Sequence, residues 1–232
     1  MAPRSLPHGR SRRPPLGVGV LTLSLVDMAD AAPQALAISQ EPALAGRKYP
    51  PRIYRTVRLE GRPPAIDGRL DDAAWSQGEW AGDYTQQMPT EGAKPSQATE
   101  LKILYDDSSV YVAIRAYDDP AKVQRYPGRR DDFVENAVDI VGICFDSYND
   151  KRTGFEFDLT AGGSKIDLIL GNGETEWDTS GDAVWDGEVA HDERGWTAEF
   201  RIPLSQLRYG TEDQQVWGLH AWRWIDRNQE ES

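Results

Sequence analysis

The chain has 232 residues, of which 38 are acidic and 26 basic, and its formal net charge at pH 7 is −12. Such an acidic protein is not expected to bind nucleic acid or anionic lipid. Its length suits one domain with a hydrophobic core. Cys144 is the only cysteine, which excludes an intrachain disulfide, so packing must hold that core together.

Residues 1–37 have the layout of a secretory signal peptide. Four arginines between Arg4 and Arg13 precede the apolar run 16–26, and small residues follow. This run is too short to anchor a protein stably in a bilayer. We therefore expect an exported protein, located in the periplasm, on the cell surface or outside the cell. The sequence leaves open whether cleavage follows Ala31 or Ala37, and an uncleaved basic leader is the alternative.

Residues 38–55 contain several prolines and are predicted to be a linker, and 56–228 are predicted to form the folded domain. The sequence pattern of this domain predicts short strands separated by turns. The predicted strands are 56–60, 99–105, 110–117, a central strand within 133–146, 153–160, 165–170, 183–191, 196–202 and 216–225. Short helical turns are expected at 70–75 and 204–207, and a long polar loop holding Trp177 at 171–182. The fold class is therefore all-β, an antiparallel β-sandwich of jelly-roll type.

The central strand is apolar on both faces except at Asp139. Side chains alternate between the faces of a strand, so Val141, Ile143 and Phe145 share the face of Asp139. Such a strand is expected to be covered on both sides. A carboxylate there costs several kcal/mol unless it is paired or opens into a cleft. The sequence leaves two alternatives open, a binding-site carboxylate and a buried ion pair with Arg115.

The strand predicted at 110–117 has two different faces. One is aliphatic, and the other carries Tyr111, Ala113, Arg115 and Tyr117. The second face indicates the lining of a cleft more than a core. In the polar loop at 171–182, the ring of Trp177 is a further candidate for ligand contact. Most of the remaining tryptophans are predicted to be core residues, namely Trp75, Trp185, Trp196 and Trp217.

Four segments together resemble carbohydrate-binding module family 9. They are 66–75, 110–114, 135–140 and 195–204, and the resemblance spans about 56–228. It includes the form of this module that precedes a predicted outer-membrane β-barrel in bacterial surface proteins, so a C-terminal barrel beyond this segment is expected as a partner. The resemblance implies a β-sandwich that binds the ends of glycan chains without cutting them, in polysaccharide recognition or breakdown.

The resemblance also implies roles for two residues. Phe133 stands where the family has an aromatic that stacks on the sugar, and Asp139 where it has an acidic residue that bonds sugar hydroxyls. A pyranose has an apolar face that an aromatic ring can cover. Its hydroxyls donate charge-assisted hydrogen bonds to carboxylates and accept them from guanidinium groups. Arg115 and Tyr117 can supply such groups if their strands neighbour the central strand.

Other functions have less support in the sequence. Asp146, Asn149 and Asp150 are candidate calcium ligands, although turn chemistry also explains them. No other cofactor is expected, and neither is membrane insertion of this segment. A glycoside hydrolase needs two carboxylates across a cleft, and no pair stands in a recognisable setting. A structural appendage of a barrel, without sugar binding, is the main alternative to a sugar-binding module.

Overall fold

The structure is a computed structural model that describes residues 21–25, 52–131, 137–172, 176–212 and 214–232. In these ranges the chain forms strands and short 3-10 turns. The strands are β1 (Leu21–Leu25), β2 (Arg52–Arg55), β3 (Val57–Arg58), β4 (Thr99–Tyr105), β5 (Ser109–Tyr117), β6 (Ile140–Asp146), β7 (Gly154–Thr160), β8 (Lys165–Gly171), β9 (Glu176–Asp178), β10 (Asp186–Asp192), β11 (Gly195–Pro203), β12 (Gln215–Ile225) and β13 (Glu230–Glu231).

The strands form two sheets that pack face to face. The eight-stranded sheet has the order β2-β1-β12-β6-β7-β8-β9, and β13 pairs with β12. The five-stranded sheet has the order β10-β11-β5-β4-β3. Neighbouring strands are antiparallel except for the pairs β1–β2 and β3–β4. The predicted antiparallel β-sandwich is confirmed.

In the eight-stranded sheet the backbone of strand β1, Leu21–Leu25, lies between β12 and the edge strand β2. These five residues belong to the segment that the sequence predicts to be an export signal. The signal and its cleavage stay a prediction.

The core lies between the two sheets and is built from the alternating apolar positions of both. Trp185, Trp196 and Trp217 are at most 4% exposed, as their spacing predicted. The ring of Trp185 stacks on Phe200 at a centroid distance of 5.7 Å. Strand β6 is buried on both faces, which confirms the prediction of a covered central strand.

The segment 59–76 crosses the outer face of the five-stranded sheet. A 3-10 turn at Ala73–Ser76 drops Trp75 into a second, smaller core. There Trp75 packs with Leu59, Tyr111 and Ala113. Two of the side chains expected in a cleft, Tyr111 and Ala113, are therefore covered, because this segment lies over their half of β5.

Several predicted boundaries hold, and two elements differ. The last four residues of the predicted linker, Arg52–Arg55, form strand β2. Strand β4 has the predicted bounds, and the helical turn expected near 204–207 is a 3-10 turn at Leu204–Gln206. The prediction of a long loop at 171–182 is wrong in part, because β8 extends to Gly171 and strand β9 follows at Glu176–Asp178. Within the described part of the chain, no helix has both the length and the apolar character needed to cross a bilayer.

Candidate functional site

A groove of about 550 Å³ lies on the outer face of the five-stranded sheet. This volume is within the range of pockets that hold small ligands, about 300–1,000 Å³. Strands β4, β5, β10 and β11 contribute to it, and residues 69–71 and Trp80 border it. We call this cavity the outer groove. Arg115 and Tyr117, two of the four residues that the sequence assigned to a cleft, both line it.

The register of the strands brings polar groups into one row across the floor of the outer groove. Glu100 on β4 is the cross-strand partner of Arg115 on β5, and Arg115 is also the partner of Thr197 on β11. Directly opposite residues of antiparallel strands have Cβ atoms about 5 Å apart. A carboxylate, a guanidinium group and a hydroxyl thus lie side by side.

Arg115 is held by one carboxylate and leaves one nitrogen without a partner. Its side chain is 7% exposed, and its Nη2 donates to the Asp192 carboxylate at the end of β10. Burial tends to raise the pKa of Asp192, but the hydrogen bonds from Arg115 and from the Arg194 N–H outweigh it and hold the pKa below its usual range. The Nη1 of Arg115 is buried and has no hydrogen-bond partner among the described residues.

Tyr117 connects the aromatic and the charged parts of the outer groove. Its hydroxyl donates to Glu100 Oε2 at 2.8 Å. This hydrogen bond, together with burial, raises the pKa of Tyr117, so the phenol is a neutral donor near pH 7. The guanidinium carbons of Arg115 and Arg194 lie 5.6 and 6.0 Å from the centre of its ring.

Trp80 supplies a second aromatic surface at the border of the outer groove. Its ring is 39% exposed, and Lys102 Nζ lies 4.9 Å from the ring centroid. The same ammonium group donates to the carbonyl oxygen of Trp75 at 2.7 Å, which fixes its position. An exposed ring beside hydrogen-bonding groups is the combination that a sugar needs, because a pyranose presents an apolar face and a rim of hydroxyls.

Asp139 is fully buried and its carboxylate accepts backbone N–H groups, which corrects the prediction that it opens into a binding site. Asp139 is 0% exposed and lies just before β6, a strand of the eight-stranded sheet. Arg115 lies in the five-stranded sheet. Its Oδ1 accepts the N–H of Asp226 at 2.9 Å, and its Oδ2 accepts the N–H of Gln124 at 3.3 Å. Burial raises its pKa despite these bonds. The predicted ion pair with Arg115 is also wrong, because Arg115 pairs with Asp192, whereas Asp139 lies 4.0 Å from Arg227.

Trp177 lies on the opposite face of the sandwich from the outer groove. It is 41% exposed on β9 and borders a small enclosed cavity of about 20 Å³ with Trp222, Glu156 and His220. Trp222 Nε1 donates to Glu156 Oε1 at 3.2 Å, and burial lowers the pKa of His220 to about 4. A volume of this size holds about one water molecule. A sugar ring does not fit there.

The remaining predicted site residues form no further site in the described structure. Phe133 lies outside the described residues. The Asp146 carboxylate accepts the N–H groups of Asp150 and Lys151 at 3.1 and 2.7 Å, and Asn149 occupies the same turn at φ 53°. The Asp150 carboxylate accepts those of Arg152 and Thr153. Among the described residues, no three His, Cys, Asp or Glu side chains are grouped to hold a metal ion.

The sequence did not point to several residues of the outer groove, among them Trp80, Glu100, Asp192, Arg194 and Thr197. The register of the predicted hairpin 99–117 would have placed Glu100 opposite Arg115. Nothing local signals Trp80, which belongs to no periodic element. Asp192 reaches Arg115 only because β10 and β5 both pair with β11.

Comparisons with known proteins agree with this architecture. A family model described as carbohydrate family 9 binding domain-like matches residues 66–230. None of the curated proteins compared with the chain matches it.

Two solved structures of family 9 modules have the same fold. Both are modules from Caldicellulosiruptor kristjanssonii. One is in complex with glucose, with a TM-score of 0.50, 18% identity, and coverage of 72% of this chain and 77% of that one. The other is in complex with cellotriose, with a TM-score of 0.53, 17% identity, and coverage of 76% and 80%. At these identities the likeness extends to the fold alone.

Proposed function

Because the chain belongs to the carbohydrate family 9 binding domain-like family, we propose that it binds glycans without cleaving them and that the outer groove is the binding site. The observation that carries the site is the row of Glu100, Arg115 and Thr197 in a groove of about 550 Å³. Pockets of this volume with a few convergent polar groups are the usual form of a ligand site.

The chemistry of the groove suits a sugar. Glu100 can accept a hydrogen bond from a sugar hydroxyl, and Arg115 Nη1 can donate one to a neighbouring hydroxyl, so together they bridge two adjacent positions of a ring. The exposed ring of Trp80 can cover the apolar face of a pyranose. Related solved structures hold glucose and cellotriose, which makes glycans the first ligands to test.

The state of the carboxylates supports binding rather than hydrolysis. A glycosidase uses one carboxylic acid with a raised pKa as the proton donor to the leaving group. Asp192 is ion-paired with Arg115 and its pKa is lowered, so it stays ionised near neutral pH. Glu100 Oε2 accepts the Tyr117 hydroxyl, so this carboxylate already serves as a hydrogen-bond acceptor.

The experiment compares two exposed tryptophans on opposite faces. Trp80→Ala removes the ring at the outer groove, and Trp177→Ala removes a ring of equal exposure on the other sheet. Affinity for neutral and acidic oligosaccharides is measured by titration calorimetry, and the incubated glycan is analysed for cleavage products. We expect binding without cleavage and about tenfold weaker binding for Trp80→Ala, since stacking contributes about 1 kcal/mol or more.

Two outcomes would contradict the proposal. Loss of binding in Trp177→Ala with unchanged binding in Trp80→Ala would move the site to the eight-stranded sheet. A folded wild-type domain that retains no glycan from a broad panel would favour a structural role.

We also propose that the protein acts outside the cytoplasm. The basic residues before the apolar run 16–26 support export. N-terminal sequencing of the protein recovered from its native host would test this, because an exported chain is expected to begin near residue 32 or 38.

A further inference from the structure

The outer groove contains guanidinium groups that are not paired with a carboxylate in the described structure. Three arginines line it: Arg69, Arg115 and Arg194. Arg69 and Arg194 are exposed, and neither guanidinium group forms an ion pair or hydrogen bond within the residues that the structure describes. Arg194 instead lies 6.0 Å from the ring centroid of Tyr117, beside Arg115. Two guanidinium groups thus approach one ring on the groove floor.

Two of the three carboxylates of the groove accept hydrogen bonds from other groove residues, and one of these two is ion-paired. Asp192 accepts Arg115 Nη2 through Oδ2 and the backbone N–H of Arg194 through Oδ1. Glu100 Oε2 accepts the Tyr117 hydroxyl. Asp71 is the remaining carboxylate and lies exposed at the border, where solvent screens it.

The Nη1 of Arg115 is the second observation that indicates a ligand. The Arg115 residue is 6% exposed, and this nitrogen is buried without a hydrogen-bond partner among the described residues. A buried donor without a partner costs free energy, and an anionic oxygen satisfies this cationic donor better than a neutral one, because the attraction of opposite charges adds to the hydrogen bond.

We propose that the outer groove selects glycans that carry an anionic substituent, a carboxylate or a sulfate, bound by Arg194 and the free nitrogen of Arg115. This specificity rests on the proposed function and goes beyond it. The attraction is local, because the whole chain has a net charge of −12 and repels polyanions elsewhere. The neighbouring Glu100 then binds hydroxyls of the same sugar and orients its anionic group toward the arginines.

The test uses pairs of polymers that differ only in charge. Polygalacturonate is compared with its methyl ester, and a sulfated galactan with its desulfated form, by affinity electrophoresis and calorimetry at two salt concentrations. We expect binding of at least one acidic polymer to be about tenfold tighter than that of its uncharged form, which corresponds to about 1.4 kcal/mol. The pair that shows the difference distinguishes carboxylate from sulfate.

Arg194→Gln is the matched variant, because its side chain is exposed and its removal leaves the fold intact. It should abolish the preference for the acidic polymer, whereas Arg55→Gln, an exposed arginine on β2 away from the groove, should keep it. Equal or tighter binding of the uncharged polymers, or an unchanged preference in Arg194→Gln, would overturn the inference and leave glycan binding standing. Binding of no polymer by the folded domain would instead overturn the proposed function.

Discussion

At the scale of single residues, Glu199 on β11 anchors the segment that borders the outer groove. It is 0% exposed, and its Oε2 accepts the N–H groups of Asp67 and Gly68 at 3.0 and 2.8 Å. Its Oε1 accepts Trp75 Nε1 at 2.6 Å. Burial outweighs these hydrogen bonds and raises the pKa of Glu199 from 4.5 to about 7. The folded state therefore favours the protonated acid.

Glu199 should make stability depend on pH. Because the pKa of Glu199 is higher in the folded than in the unfolded state, this residue contributes stability that is fully present at pH values below 4.5. The contribution is lost as the pH rises through about 7. Between pH 5 and 7.5, urea denaturation should show the wild type losing on the order of 1–2 kcal/mol more stability than Glu199→Gln, which cannot titrate. Parallel pH profiles for the two proteins would contradict this assignment, because the other titrating groups are common to both.

At the scale of elements, the turn at 67–70 lies unusually close to strand β10. Gly68 has φ 82°, and a Cβ at this position would lie 2.3 Å from the carbonyl carbon of Val189. The Thr197 hydroxyl donates to the Gly68 carbonyl oxygen at 2.6 Å. Glycine is required here both for its backbone conformation and for the close approach. This contact keeps residues 69–71 at the border of the outer groove.

Gly68→Ala should therefore be much more damaging than a comparable glycine change. Gly61 has a similar φ of 86°, but nothing lies within 4 Å of its added Cβ. We expect Gly61→Ala to cost about 1 kcal/mol of unfolding free energy and Gly68→Ala at least about 2–3 kcal/mol. Hydrogen exchange should also show faster exchange across 65–76 in Gly68→Ala. Equal losses for the two variants would mean that the close approach is unimportant.

At the scale of the whole molecule, a buried network joins the two sheets at one end. Arg223 on β12 is 0% exposed, and its Nη2 donates to Asp118 Oδ2 at 3.0 Å, just after β5. Its Nη1 donates to the carbonyl oxygens of Ala98 and Tyr117, at the ends of β4 and β5. Arg227 also pairs with Asp118. The network therefore fixes the end of β5 that carries Tyr117.

Removing Arg223 should destabilise the entire sandwich. Arg223→Met leaves Asp118 with Arg227 as its remaining cation and removes the donor to the carbonyl oxygens of Ala98 and Tyr117, which is expected to cost about 2–4 kcal/mol. The matched variant Arg201→Met removes an ion pair with Asp186 whose side chains are about half exposed, and it should cost less than about 1 kcal/mol. Guanidinium denaturation of both variants measures the difference. A similar small loss for both would mean that the buried network contributes little to stability.

Much of the sandwich follows from local patterns, whereas the site depends on long-range pairing. The hairpin of β4 and β5 is predictable, because apolar residues alternate on both sides of the turn at Asp106–Ser108. That alternation also assigned Arg115 and Tyr117 to one face. It could not show that residues 59–76 cover the other half of this face. For Asp139, an apolar strand signals that a carboxylate is unusual, but only the fold shows that backbone N–H groups of Gln124 and Asp226 bind it.

An amide chemical-shift titration of the isotopically labelled domain, with the glycan that it binds most tightly, tests the outer groove as the binding site most directly. If the glycan binds there, shifts will be concentrated at Glu100, Arg115, Tyr117, Arg194 and Thr197, together with the indole signal of Trp80. Shifts concentrated instead on β7, β9 and the indole of Trp177, with the outer groove unperturbed, would contradict this placement of the site.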